Sequence, residues 1–409
     1  MSNTLVTIDM VTREALRIAH EKCQFISTTD RQYDSSFAKT GAKIGASLRV
    51  RKPNQYLRTQ GTRVMDVQEQ DEQTSTVTVA TQDHVDMRFN SAELALSLDE
   101  LSKRYIEPAV SSLVSAIEGD YLAYATKKTY NVVGTAGTAI TDLTAPGLAR
   151  ARLNQMLAPK DRNRAIQMDS VTMAGLVKGV AAYFNPSGAI SEQYREGLVA
   201  RTSMADYYEN ERVWTLTNSG DVMVTTAAAA AVTDGGTNIT LASVAAGDTT
   251  AGMTFTVAGV YACHPETKQS LGYLQPYVVI TGGATTQTVS PATILTGPRQ
   301  NVCSAASAQL ATTAYNGTAV AVTFFGAANT SYAQSLMYHK EAFQFVTADL
   351  PLMDDAHKCV RRSQDGLSLR VWQASDIRND ELLMRIDILY GMAALRPEWA
   401  CRMIGAASA

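Results

Sequence analysis

Apolar residues recur along this chain with changing periods, and each period predicts a different element. Between about Thr7 and Phe25, Val11, Ala15, Ile18 and Ala19 fall among Arg13, Glu14, Arg17 and Glu21, a spacing that lays one apolar stripe along a short helix. The following stretch, Ser27 to Thr40, is polar and poorly patterned. Helix and stretch together read as an arm reaching away from the main body. From Ala46 to Asn90 the period becomes two: Leu48 and Val50 alternate with Arg49 and Arg51, Val77 and Val79 with Thr76 and Thr78, and then come Val85, Met87 and Phe89. That pattern predicts strands, joined by a Gln- and Glu-rich connection from Asp66 to Thr74. A two-stranded ribbon is marginal by itself in water, so this one needs a neighbour to lie on.

The longest helix signal follows, with Leu101, Tyr105, Ala109, Leu113, Ile117, Tyr121 and Leu122 at helical spacing and Ser97 and Glu100 placed as a capping box. Pro108 interrupts it. Either the helix kinks there, or a longer helix begins with proline in its first turn. Asp142 to Trp214 mixes helical pieces (Ala145 to Leu157, Ser170 to Gly179, Ser191 to Leu198) with short apolar runs, as an α+β body would.

Composition then changes the picture. From Asn218 to Phe325 the only charged residues are Asp221, Asp234, Asp248, Glu266, Lys268 and Arg299, on a background of Thr, Ala, Gly and Val. Turn signals at Asp234-Gly235-Gly236, Gly282-Gly283 and Gly297-Pro298 separate the β-rich runs Met253 to Val257, Tyr277 to Thr281 and Val320 to Phe325. A small all-β barrel or sandwich is expected. After Gly326 ordinary composition returns with Phe343 to Val346, the alternating Leu367 to Trp372, and Leu382 to Leu389. The β-rich block therefore reads as an insertion into a body that resumes after it.

The chain has 409 residues, 45% hydrophobic and 18% charged, with a net charge of -3. It is long enough for two or three structural units, and its charge-poor surface suits contact with other protein. A strongly basic face for sequence-specific nucleic-acid binding is not expected. No stretch approaches a bilayer-spanning length, and the first ten residues lack a basic region followed by an apolar run, so folding in the cytoplasm is expected. The five cysteines (Cys23, Cys263, Cys303, Cys359, Cys401) are scattered without CxxC spacing, as buried free thiols would be. The five histidines lie far apart, with no HExxH pattern, and no GxSxG, SxxK or phosphate-binding glycine loop occurs. His357 beside Asp354, Asp355 and Cys359 reads as a polar loop near a partly buried thiol. No catalytic residue, cofactor or metal is expected.

Arm, ribbon, long helix, α+β body, β-rich insertion and return to the body follow one another in an order that resembles the major capsid proteins of tailed phages. The closer resemblance is to the short-tailed branch with an insertion domain. It is carried by Leu96-Ser-Leu-Asp99 running into Arg104-Tyr-Ile-Glu-Pro108, by Asn185 with Tyr194-Arg-Glu-Gly197, by His339 to Pro351, and by Arg385 to Gly391 continuing through Leu395-Arg-Pro-Glu398. The resemblance implies an α+β Hong Kong 97-type fold with an inserted all-β domain. Its parts would be an N-arm (1–44), an E-loop (45–92), a spine helix and peripheral domain (93–135), an axial and peripheral body (136–217), the insertion (218–326) and the returning body (327–409).

It also implies self-assembly into hexamers and pentamers of an icosahedral shell, a scaffolding protein, a portal, packaged double-stranded DNA held without sequence preference, and room for a decoration protein. An encapsulin-like compartment, or a cell-surface or tail structural protein, is the alternative. The ribbon carries arginine on one side and acids near its tip, which suits ion pairing between subunits. Arg49, Arg51, Lys52, Arg58, Arg63, Glu69, Asp71 and Glu72 are therefore the candidate inter-subunit contacts. Some relatives cross-link a ribbon lysine to a neighbour's asparagine, and Lys52 is the one lysine well inside this ribbon; pairing with a carboxylate across an interface is the preferred reading. Denaturing gels of mature shells should accordingly show intact monomer, whereas a ladder of covalent oligomers would reverse that preference.

Overall fold

The structure is a computed structural model that describes residues 8–34, 47–59, 61, 65, 67–68, 72–90, 102–180, 205–219, 224–229, 234–241, 249–282, 286–308, 310, 319–352, 358–376 and 381–407. It divides into two compact units, one formed by Met1–Val50, Thr74–Leu122 and Phe343–Leu395, the other by Arg51–Gln73, Ala123–Ala342 and Arg396–Ala409.

The first unit is organised by one long strand, Glu381–Ala394. Leu367–Asp376 pairs along one edge of it, and the other edge is shared by Thr81–Asn90 and Phe343–Ala348, all antiparallel. Lys358–Gln364 extends the sheet on one side, and Asp30–Asp34 pairs in parallel with Phe343–Ala348 on the other. Helix α1, Ile8–Lys22, packs its Val11, Ala15, Leu16, Ile18 and Ala19 stripe on the sheet. Its Asp9 accepts an ion pair from Arg362 at 2.6 Å. The amino-terminal helix thus lies on the body instead of reaching away from it, and the polar stretch after it supplies a strand. The apolar stripe is the reason: exposed, it would cost roughly 25 cal/mol per Å².

The ribbon is also less free than its sequence suggests. Ser47–Arg51 and Thr74–Thr78 form a two-stranded sheet, but Val77 and Val79 are buried with Val346, Leu350, Leu389 and Leu395, and Thr81–Asn90 belongs to the large sheet. Leu367 to Val371 alternates in the sequence, yet its polar members Ser368 and Arg370 are buried along with their apolar neighbours. Ser368 Oγ donates to Asp349 at 2.6 Å, and Arg370 Nε donates to Asp387 Oδ1 at 3.0 Å, so the polar face is satisfied inside.

The long helix packs against the same sheet. A π-helical turn, Ser102–Ile106, leads into an α-helix over Glu107–Lys128. Proline thus stands in the first α-helical turn, where its missing N–H is harmless. Helix α2 is Phe25–Thr28, and the long helix is α3. Val110, Leu113, Val114, Ile117 and Tyr121 form the buried stripe of α3, and Tyr121 links Phe25, at 4.7 Å between ring centres, to Phe345, at 5.3 Å. Glu118 is the polar member of that stripe and is fully buried. Its Oε1 accepts the backbone N–H of Gln24 at 2.6 Å and that of Phe25 as well, satisfying donors that the start of α2 leaves open. A void of about 20 Å³ lined by Ala19, Cys23, Ile26, Leu113 and Leu369 remains nearby.

The second unit contains two sheets. In the first, Ser331–His339 is central, between Ala400–Ala407 on one side and Arg164–Met168 with Thr215–Thr217 on the other; Val132–Val133 and Asp206–Glu209 complete it. Helices α4, Thr144–Gln155, and α5, Ser170–Val180, also belong here; residues 191–198 lie outside the described residues. The second sheet is built wholly from 224–324, in the order Gly236–Thr240, Thr286–Thr293, Ser270–Thr281, Thr254–Cys263, Ala319–Phe324, Val224–Ala229, with Val302–Cys303 off the path. Ile239 near one edge and Val322 and Phe324 near the other join a single buried cluster with Phe255, Tyr277 and Val289. A flat sheet of this width spans on the order of 20 Å, so the sheet must curl around that core. Thr217 pairs with Ser331, and Asn218 donates through Nδ2 to the carbonyls of Phe325, at 3.0 Å, and Ala327, at 3.3 Å. The chain therefore leaves the first sheet and returns to it at adjoining positions. Gly326 allows this closure, because at φ +98° a side chain there would stand 2.6 Å from the Asn218 amide.

His339 ends the central strand and is almost fully buried, edge-on to Trp399 at 5.5 Å. Its Nδ1 accepts the Glu341 N–H at 3.3 Å, which leaves Nε2 to donate to Asp161 Oδ1 at 2.9 Å. Burial alone would raise the Asp161 pKa, but hydrogen bonds from the Asn163 side chain, His339 and the Asn163 N–H outweigh it and hold the carboxyl at about 2.

Two outcomes follow from these contacts. Glu118→Ala should lower unfolding stability by about 1–3 kcal/mol, since it strands two buried N–H donors, with Glu118→Gln losing less; equal denaturation midpoints for all three proteins would refute the capping role. For Asp161, a folded-state value depressed below the ordinary 3.8 contributes stability that is present above about pH 4 and lost as pH falls through about 2. The group is half exposed, so the effect of Asp161→Asn at pH 7 should stay below about 1 kcal/mol and fade toward pH 2 in denaturant titrations.

Candidate assembly surface

The connection between the two ribbon strands, residues 51–73, is where the sequence placed its candidate contacts. Few bonds hold it. Arg51 pairs with Glu72 at 3.2 Å with both side chains exposed, the Lys52 N–H donates to the Gln73 carbonyl at 2.8 Å, and Gln68 bridges the Leu57 backbone through Oε1 at 2.8 Å and Nε2 at 2.6 Å. Exposed ion pairs of this kind contribute little, about 0–1 kcal/mol. Arg58 is exposed and Lys52 half-buried. Arg49 lies in the strand Ser47–Arg51, and Arg63, Glu69 and Asp71 lie outside the described residues. Of the eight candidates the structure thus brings together Arg51 and Glu72, and it does so within the chain.

Sequence reasoning missed the apolar side chains of the same segment. Tyr56, Leu57, Met65 and Val67 are exposed, Met65 at 86% and Val67 at 78%. Single exposed apolar residues are ordinary, whereas four within one segment of a dozen residues form a surface suited to a partner. The signal was present in the sequence, but the charged neighbours drew attention from it. Elsewhere several basic residues are engaged: Arg361 with Asp349 at 3.2 Å, Arg362 with Asp9, and Arg164 with the carbonyls of Ala158 and Pro159.

All five cysteines are free, four of them buried. Burial pushes the Cys263 thiol up to about 12, a state without nucleophilic character. Among the described residues no group of three His, Cys, Asp or Glu side chains could hold a metal ion, and no helix is long and apolar enough to cross a membrane. Of the resemblance-bearing motifs, Arg104 to Pro108 spans the π-to-α transition, His339 to Pro351 runs through the two sheets' strands, and Arg385 to Gly391 occupies the long central strand. Leu96 to Asp99, Asn185 and Tyr194 to Gly197 lie outside the described residues, as do His357, Asp354 and Asp355.

Known proteins bear on this arrangement. No curated protein matches the chain. Among solved structures it is similar to one from Mycobacterium phage Che8 (8% identity, 91% of this chain and 88% of that one, TM-score 0.45). It is also similar to the capsid of cyanophage P-SCSP1u (11% identity, 93% and 87%, TM-score 0.45) and to a virus-like particle from Pyrococcus furiosus (8% identity, 97% and 98%, TM-score 0.34). These likenesses are too distant to bear weight. The sequence model of the P22 coat protein, gene protein 5, matches residues 71–405, from the ribbon to the last strand and more than four-fifths of the chain. That match favours a phage shell over an encapsulin-like compartment or a cell-surface protein. The chain belongs to the P22 coat protein family, and with it to the tailed-phage major capsid proteins of the Hong Kong 97-type fold.

Proposed function

We propose that this coat protein builds its shell from hexamers and pentamers in which the loop 51–73 of one subunit docks on a neighbour, with the apolar side chains of Tyr56, Leu57, Met65 and Val67 as its anchor. What supports this is the exposure of those four apolar side chains within one segment of the chain. Burying four such residues is worth several kcal/mol per contact, and symmetry repeats the contact around each ring. Arg51, Lys52, Arg58 and Glu72, together with Arg49, Arg63, Glu69 and Asp71, form the polar rim, which fixes register more than it adds affinity. Residues 218–326 act as an inserted β-domain that folds around its own core. A scaffolding protein, a portal, packaged double-stranded DNA and a decoration protein are the further partners in this reading, and assembly takes place in the host cytoplasm. The protein acts by association and carries out no catalysis.

Placing a charge at the anchor tests the docking role. Met65→Asp combined with Val67→Asp leaves the two cores untouched and should yield a folded subunit with unchanged circular dichroism and melting temperature. Electron micrographs and sedimentation should then show loss of closed shells. Normal shells from the double variant would refute the anchor, and Arg51→Ala should cost far less.

A further inference from the structure

Three arginines lie almost wholly inside the protein among the described residues, and two of them have an evident answer to the cost of a buried charge. Arg370 meets a carboxylate, with Nε 3.0 Å from Asp387 Oδ1. Arg164 donates from Nε to the Pro159 carbonyl at 3.0 Å and from Nη2 to the Ala158 carbonyl at 2.8 Å, with the Asp161 charge acting on it.

Arg402 has neither arrangement. It sits on the strand Ala400–Ala407 and is fully buried. Nη1 donates to the Gly252 carbonyl at 2.7 Å, while Nε and Nη2 have no hydrogen-bond partner among the described residues. The adjacent Cys401 supplies no counter-charge, because burial pushes its thiol up to about 12 and keeps it neutral. Deprotonation offers no escape either. Burial draws Arg402 down to about 9, which still leaves it cationic at pH 7.

A second cation converges on the same turn. Lys127 Nζ stands 5.1 Å from the centre of the Trp214 ring. At Gly252, where φ is +100°, a side chain would lie 2.5 Å from Trp214 Cη2 and 3.2 Å from Lys127 Cγ. The aliphatic stem of Lys127, the Trp214 indole and a bare turn thus surround the carbonyl that Arg402 reaches, and among the described residues no carboxylate pairs with Arg402. Buried charged donors without a partner call for a bound water or ion, and water satisfies the N–H groups without balancing the charge.

We propose that Arg402 holds a small monovalent anion of chloride size through Nε and Nη2, inside the unit that also carries the curled β-sheet. Two open donors on one guanidinium suit a spherical halide; a tetrahedral oxyanion takes more donors than the site offers. The anion supplies the counter-charge that Asp387 gives Arg370, and it ties the turn at Gly252 to the strand beneath it.

Thermal unfolding of the full chain at constant ionic strength, with chloride replacing gluconate, tests the site. The melting temperature should rise by about 1–3 °C for each tenfold increase in chloride above the dissociation constant, and bromide should act alike. Arg402→Met keeps the length of the side chain, removes the charge and should abolish the dependence. A wild-type melting temperature indifferent to chloride, or the same dependence in both proteins, overturns the proposal. Wild-type crystals grown in bromide give a reading that needs no variant. An anomalous peak within hydrogen-bond reach of Nε or Nη2 is expected, and ordered water there without anomalous signal overturns the site.

Discussion

The backbone ladder along Glu381–Ala394 is the constraint on which the first unit depends. Fourteen residues long, that strand has three partners among the described residues: Leu367–Asp376 precedes it as a hairpin, whereas Phe343–Ala348 and above all Thr81–Asn90 come from farther back in the chain. Thr81–Asn90 is some 300 residues away, so its pairing closes an enormous loop, a step that is entropically slow. Once formed, the ladder fixes what is laid on it: α1, the Phe25–Tyr121–Phe345 aromatic chain, and Val77 and Val79 at the root of the ribbon. A subunit that must repeat itself around a shell needs such a base, because a surface can be no more precise than the element that carries it.

Much of this was legible in the sequence, and the reasons for the rest are physical. The stripe on α1, the run of apolar residues in α3 and the strands at 254–263, 270–281 and 319–324 all announce themselves by period and composition. What periodicity cannot show is which neighbour takes an apolar stripe, and so α1 read as a free arm until its sheet was seen. Ser368 and Arg370 alternate with apolar neighbours, but alternation alone does not say whether the polar face is exposed or buried. Asp349 and Asp387, 19 and 17 residues away, supply the partners inside. At the ribbon the failure was one of emphasis: Arg49, Arg51 and Glu72 stand out in a list of charges, whereas Met65 and Val67 become conspicuous only when nothing covers them.

Buried polar groups recur at the joints of this chain. Glu118 fastens α2 to α3, Asn218 closes the neck of the 224–324 sheet, His339 locks the loop at Asp161, and Asn131 donates to the carbonyls of Glu398 and Ala400 beside the last strand. Apolar contacts between these segments are tolerant of small shifts, but a hydrogen bond in a dry setting is directional and has one good geometry. The arrangement favours a single conformation over a family of similar ones. Quasi-identical copies in a closed shell require that uniformity.

The neck at Thr217 and Ser331 has a consequence of its own. Since the chain departs and returns through paired residues, the turns and loops between them can change in length without moving either end, except where they touch the host sheet, as Gly252 does by accepting from Arg402. Such a port lets a lineage remodel those loops while the strands that frame them stay constant. That segment is then free to diversify at its own pace, within the limits those few contacts set.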